Sequence, residues 1–244
     1  MGYNLPVSER EIIIQKISSQ LYRLESLHRS NAYVIGSGNK YLLVDSGVAK
    51  DATSIMTELE GAGFSLANLV GLVLTHTHSD HSGGAPKIIS ETGVPVFAHK
   101  DEVPYIEKLM DLPVGSAWRR SLLWLSDHFI MRREPCQVDY KLEHLEQIEG
   151  FSGLQTLHTP GHTPGSLSLY HQDEKFLLCG DALFNANPIT GKPGLRLPLK
   201  VVTLDNDVAY ESVVYLASLD VEVLCCGHGE PITESAGEKI VGVL

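Results

Sequence analysis

Four metal-ligand side chains stand within six residues at His76-Thr-His78-Ser-Asp80-His81. Imidazole and carboxylate together suit zinc and other borderline divalent ions. Four such groups on so short a segment cannot all converge on one ion. The spacing therefore favours two neighbouring ions, with His76 and His78 turned one way and Asp80 and His81 the other. A lone His-x-His is common on solvated loops, so the hexapeptide by itself does not separate a metal site from a polar turn. The apolar, β-branched run 69–75 leads directly into it and reads as a buried strand. A strand that stops at a polar turn holds its last residues on a rigid support.

Three more candidates follow apolar runs of their own. Residues 154–157 lead into His158-Thr-Pro-Gly-His162-Thr-Pro-Gly-Ser166, residues 176–179 into Gly180-Asp181, and residues 221–226 into Gly227-His228-Gly229. Glycine at such strand ends permits unusual backbone angles and close approach of the chain to an ion. The set is then His76, His78, Asp80, His81, His162, Asp181 and His228, five imidazoles and two carboxylates. That number fits two ions, with three neutral imidazoles on one, mixed ligands on the other, and a carboxylate between them. Only a carboxylate in this set has two oxygens with which to bridge.

The order His-x-His-x-Asp-His, Gly-His-Thr-Pro-Gly, Gly-Asp and Gly-His-Gly, preceded by Leu43-Val-Asp45-Ser-Gly47, resembles the metallo-β-lactamase-fold hydrolases over about residues 31–231. The resemblance implies that His76, His78 and His162 hold one ion, that Asp80, His81 and His228 hold the other, and that Asp181 bridges them. It implies that Asp45 orients a ligand instead of binding metal. It also implies an α/β (α+β) chain folded as an αββα sandwich of two mixed sheets flanked by helices, with the site at the sheet edge.

The elements read from pattern agree with such a fold. Residues 11–17, 21–24, 31–35 and 40–44 read as antiparallel strands, with a hairpin signal at Gly36-Ser-Gly-Asn39. Residues 50–63 carry helical spacing in Ile55, Leu59 and Ala62, and residues 83–91 and 208–219 read as helices. Strands are expected at 95–98, 167–170, 175–179 and 221–226. The whole of 1–244 reads as one domain with a helical insertion at about 101–148. Within it two helices are expected, 101–109 with Asp101 as N-cap, and 116–131 with Trp118, Leu122, Leu125 and Phe129 as an apolar stripe packed on the sandwich.

Composition narrows the partners. With 19 basic against 30 acidic residues the formal charge is −11, which argues against RNA or DNA, since phosphate binding rests on clustered Lys and Arg. No apolar stretch reaches the length of a membrane span, and the N-terminus lacks the basic flank and apolar core of a signal peptide. Four cysteines, three at the ends of apolar runs, make a poor disulfide framework and suit a reducing cytoplasm. Cys226 lies two residues from His228, yet His and Asp already complete the ligand set.

These features point to a small-molecule substrate and two divalent ions, zinc first and iron or manganese as alternatives. A metal-held hydroxide would attack the carbonyl of a small ester, thioester or lactone, with Asp80 placed to handle a proton. Departures from relatives of the fold qualify this. Di-zinc β-lactamases put Cys or Ser where Asp181 stands. Acyl-homoserine lactonases carry Tyr three residues after the bridging Asp, where this chain has Phe184. Glyoxalase II enzymes share Gly180-Asp-Ala-Leu-Phe184 but continue into a glutathione-binding extension, whereas this chain ends 16 residues after His228. The alternatives are an iron-dependent redox or dioxygenase-type member, or β-lactamase or phosphodiesterase activity. Flavodiiron proteins, however, place Glu where His78 stands. Candidate substrate contacts are Tyr105 and Trp124 in the insertion, and Phe184, Arg196 and Lys200 at or after the bridging Asp. For the two basic residues the default is a solvated surface, and the functional alternative is an anionic group on the substrate.

Overall fold

The computed structural model describes residues 14–113 and 134–244. Its first sheet runs in sequence order through β1 (Gln15–Lys16), β2 (Leu21–Arg23), β3 (Tyr33–Ser37), β4 (Lys40–Val44), β5 (Leu69–Val73), β6 (Val96–His99) and β7 (Tyr140–Leu142). The first four strands pair antiparallel, and β4 to β7 pair parallel. The second sheet contains β8 (Leu154–His158), β9 (Leu167–His171) and β10 (Phe176–Gly180) as an antiparallel meander. A last strand, β13 (Val223–Cys226), joins it parallel to β10. Between them in sequence lies a separate hairpin, β11 (Phe184–Ala186) with β12 (Pro193–Arg196).

Side chains alternate across each strand, and the alternation builds three apolar layers. Tyr41 and Leu43 pack outward with Leu72, Ile55, Leu59 and Ile88, under α1 (Ala52–Gly61) and α3 (Ala85–Thr92). Leu42 and Val44 pack inward with Val73 against Leu167, Leu169, Phe176 and Leu178, the interior between the sheets. On the far side Tyr170, Leu177 and Cys226 meet Val213, Leu216 and Ile240, from α5 (Asn206–Ala217) and α6 (Ala236–Val241). Three cores separate four layers, helix–sheet–sheet–helix. Each fully buried leucine contributes about 1.5–3 kcal/mol by leaving water.

Local signals set the helix ends. Asp205 caps α5 by accepting from the Asp207 and Val208 amides, and Gly93 ends α3 at φ +68°. No helix among the described residues is long and apolar enough to cross a membrane. Cys225 faces the inner core and Cys226 the outer one, where its Sγ lies 3.6 Å from Cys179 Sγ, away from any ligand role.

Several expectations need correction. The helix expected at 101–109 is the single turn α4 (Val103–Ile106), and the residue at its N-cap is Glu102, not Asp101. Lys108 adopts φ +53°, and the Leu109 and Met110 amides turn back to Pro104 O, which stops the helix early. The interval 101–148 also contributes β7, whose Leu142 enters the inner core. The hexapeptide is not all loop, since α2 (Ser79–Ser82) begins within it. The expected helix at 116–131, with Trp118, Trp124, Leu122, Leu125 and Phe129, lies outside the described residues, as do residues 11–13 of the first expected strand.

Candidate metal centre

β5, β8, β10 and β13 all end at one edge of the sandwich, and each end delivers a polar side chain there. The ladder of β5 is continued past Val73 by a side chain, because the Thr75 amide donates to Asp45 Oδ1 (2.8 Å). Thr75 O in turn accepts from the Leu167 amide of β9, which ties the two sheets together just before His76. His78 stands at the N-cap of α2, while Asp80 and His81 ride on that helix. His162 sits in the turn after β8, with its carbonyl held by the Leu204 amide. Asp181 follows β10, and His228 follows β13.

The seven residues form two contiguous donor sets. His76, His78, His162 and Asp181 make one, and Asp80, His81 and His228 the other. His78 Nδ1 lies 3.1 Å from His76 Nε2 and 2.9 Å from His162 Nε2. Asp181 Oδ2 lies 3.3 Å from His162 Nε2, 3.8 Å from His76 Nε2 and 3.4 Å from His228 Nε2, while Oδ1 lies 3.4 Å from His81 Nε2. One carboxylate therefore touches both sets. Gly227 makes this possible, because a Cβ there would collide with Asp181 Oδ1 and with the His81 ring.

The outer ring nitrogens of His76, His81, His162 and His228 are already committed. His81 Nδ1 meets Asp45 Oδ2 at 2.7 Å, and His228 Nδ1 donates to Arg29 O at 2.9 Å. Thr203 donates its hydroxyl to Leu199 O, so its oxygen faces His162 Nδ1 (3.4 Å) as an acceptor. Thr75 Oγ1 donates to Asp45 Oδ2 (2.8 Å) and is left to accept from His76 Nδ1 (3.1 Å). Asp45 thus orients His81 directly and His76 through Thr75, from a backbone at φ +62°. With protons held on the outer nitrogens, the inner lone pairs of His76 and His162 face one another across His78. A cation among them would relieve that crowding, and the separations are close to the roughly 3.3 Å edge of a tetrahedron of ~2.0 Å metal–nitrogen bonds.

Two further observations fit a cation. His81 Nε2 and Asp181 Oδ1 are buried atoms without a hydrogen-bond partner, although they face each other. Buried polar atoms left in this way are costly unless something else satisfies them. The electrostatics are strained in the same direction. Burial and the neighbouring His81 push the His76 imidazole well below its ordinary value. Burial would lower His81 too, but the carboxylates of Asp181, Asp45 and Asp80 raise it to about 10. Burial would raise Asp181, yet His228 and His81 hold it well below the carboxylate range.

Phe184 is 0% exposed, with its ring edge-on to His162 and His228, so it packs against two of the ligand rings. Arg196 donates from Nε to Gly194 O and from Nη2 to Lys192 O and Pro193 O of its own hairpin. Lys200 is exposed and Tyr105 half-buried on α4. A third His/Asp group, His99, Asp101 and His158, was not anticipated. Its two imidazoles stack in nearly parallel planes 3.7 Å apart. An ion must lie in the plane of each ring it binds, so this pair is a packing contact. Sequence reasoning also missed Thr75, Arg29 and Thr203, whose roles need no particular residue pattern.

The sequence profile of the metallo-β-lactamase superfamily matches residues 27–228. The chain is 31% identical over 219 residues to the probable metallo-hydrolase YflN of Bacillus subtilis, covering 84% of this chain and 82% of that one. It is 25% identical over 181 residues to the acyl-coenzyme A thioesterase MBLAC2 of Gallus gallus, covering 69% and 63%. Among solved structures it resembles TTHA1623 in a di-iron-bound form, with a TM-score of 0.64 and 25% identity, covering 86% of this chain and 92% of that one. The donor clusters and these relatives imply divalent metal ions and hydrolytic chemistry. The chain belongs to the metallo-β-lactamase superfamily.

Proposed function

We propose that this protein is a binuclear metal-dependent hydrolase acting on the carbonyl of a small ester, thioester or lactone, with zinc as the metal. The observation that carries the reading is the pair of donor sets joined by one carboxylate, Asp181, whose Oδ2 lies against His76, His162 and His228 and whose Oδ1 lies against His81. Three imidazoles on one side and Asp80, His81 and His228 on the other give the nitrogen-rich environment that zinc favours. Ions held there supply a water ionised near neutral pH and a Lewis acid for the carbonyl oxygen. The protein's own groups do the rest. Asp45, Thr75, Thr203 and the Arg29 carbonyl hold the rings so that the inner nitrogens stay unprotonated. Asp80 is the partly open member of its set, with a side chain 19% exposed, so its carboxylate can accept a proton from the nucleophile and pass it to the leaving group. The acidic surface and the thioesterase among the relatives support a small acyl compound over a polyanion. The test is to load the protein with zinc and assay lactones, thioesters, phosphodiesters and β-lactams side by side. Acyl turnover that disappears in Asp80→Asn supports the reading; turnover confined to phosphodiesters overturns it. Iron is the second reading, favoured by the di-iron neighbour, and it is separated by metal analysis and by colour of the purified protein.

A further inference from the structure

We propose that Glu102 is a positioning residue that sets the spacing of the three-imidazole half of the centre by clamping together the two loops that carry it. This rests on the reading above that His76, His78 and His162 hold an ion. Glu102 is 0% exposed although it follows the half-exposed turn at the end of β6. It occupies the N-cap of α4, yet its side chain does not cap that helix. Its Oε1 accepts from the Thr77 amide at 2.8 Å, and its Oε2 accepts from the Gly165 amide at 2.7 Å. Thr77 lies between His76 and His78. Gly165 closes the turn that begins at His162.

The two loops come from different sheets, so nothing in either sheet's ladder fixes their separation. One backbone bond, from the Leu167 amide to Thr75 O, crosses nearby. Glu102 supplies a second crossing two residues away along each loop, at Thr77 and Gly165. The 2.9 Å between His78 Nδ1 and His162 Nε2 is the distance this clamp governs. The fit is close. A Cβ at Gly165 would collide with the Glu102 amide, so the turn approaches α4 as nearly as a backbone can. A carboxylate is the group this place requires, because it accepts at both ends and two N–H groups face it. A glutamine would turn an NH₂ towards one of those N–H donors and release that loop. None of this touches Asp80, His81 or His228, which α2 and β13 place.

Metal affinity reads the proposal without any substrate. Apo protein is titrated with zinc against a competing chelator, and the two dissociation constants are assigned in two backgrounds. His228→Ala keeps the three-imidazole set, and His162→Ala keeps the other. Glu102→Gln should weaken binding by about 10-fold or more in the His228→Ala background, and by less than about 3-fold in the His162→Ala background. Lys100→Ala, on the same turn but paired with Glu143 on the surface, should move neither constant. Should Glu102→Gln fail to fold, Glu102→Asp serves instead; one methylene shorter, it reaches one loop only and should shift the same constant in the same direction. Equal weakening in both backgrounds, or none in either, overturns the proposal. An inert acyl panel with this pattern of constants would sink the substrate reading and leave Glu102 standing. Full acyl turnover with unchanged constants in Glu102→Gln would do the reverse.

Discussion

Replacing Asp45 by asparagine removes one charge and changes one acceptor into a donor, at a place where three donors converge. Oδ1 accepts from the Thr75 amide, and Oδ2 accepts from the Thr75 hydroxyl and from His81 Nδ1. The asparagine oxygen can take only one of these places. If it faces His81, the NH₂ meets the Thr75 amide, and a buried donor is orphaned at a cost of about 1–3 kcal/mol. If it faces the Thr75 amide, the NH₂ meets His81 Nδ1, and the ring must move its proton to Nε2, where it blocks metal binding. The first arrangement keeps the ligand and is expected to win. It costs stability in apo and loaded protein alike, so the apo melting temperature should fall by roughly 2–4 °C per kcal/mol for a chain of this size. The loss in affinity is separate. A bond to a neutral oxygen is about half as strong as one to a carboxylate, and removing such support typically weakens metal binding about 10- to 100-fold. The weakening should fall on the ion held by Asp80, His81 and His228, with a smaller effect on the other set through Thr75. Chelator competition and calorimetry measure the two effects independently. An affinity within about 3-fold of the parent protein, or a loss confined to the His162 side, would refute the assignment of Asp45 to His81.

Elemental analysis after zinc loading should find two ions per chain, falling to one in His228→Ala; a plateau at one ion in both would remove the two-site reading. Asp80→Asn should lose most acyl turnover while its melting temperature moves by only about 2–4 °C, since the carboxylate is partly solvated; retained turnover would take Asp80 out of the chemistry. His99 is held down to about 4 by burial and by the stacked His158, against 6.5 when free. The folded protein therefore binds fewer protons than the unfolded chain between those values, and stability falls as pH drops from about 6.5 to 4, by roughly 1–3 kcal/mol from this group. His99→Gln should flatten that part of the stability-against-pH curve relative to the parent, and an unchanged slope in denaturant titrations would show that His99 does not titrate there.

Ligands and positioning groups differ in how far they can be read from one dimension. Only a few residue types bind a divalent ion, so His76, His78, Asp80, His81, His162, Asp181 and His228 announce themselves by type, each at the end of an apolar run that must become a strand. The strands were legible too, since continuous apolar runs such as Leu42-Leu43-Val44 suit strands buried on both faces, but which face each residue takes was not. Short elements were not. α2 and α4 span a single turn each, too little for a helical period to show, and β7 is three residues of which two are exposed. Roles that depend on who stands opposite were also hidden. Phe184 looked like a pocket residue because it follows Asp181, yet it packs against two ligand rings. Arg196 looked available to an anion, yet its own hairpin carbonyls take its Nε and Nη2 donors. Glu102 is the clearest case. Its partners lie 25 and 63 residues away and are backbone amides, which every residue but proline carries. A ligand is recognisable because its chemistry is rare, whereas a clamp is made from the commonest groups in the chain, and only their meeting in space distinguishes it.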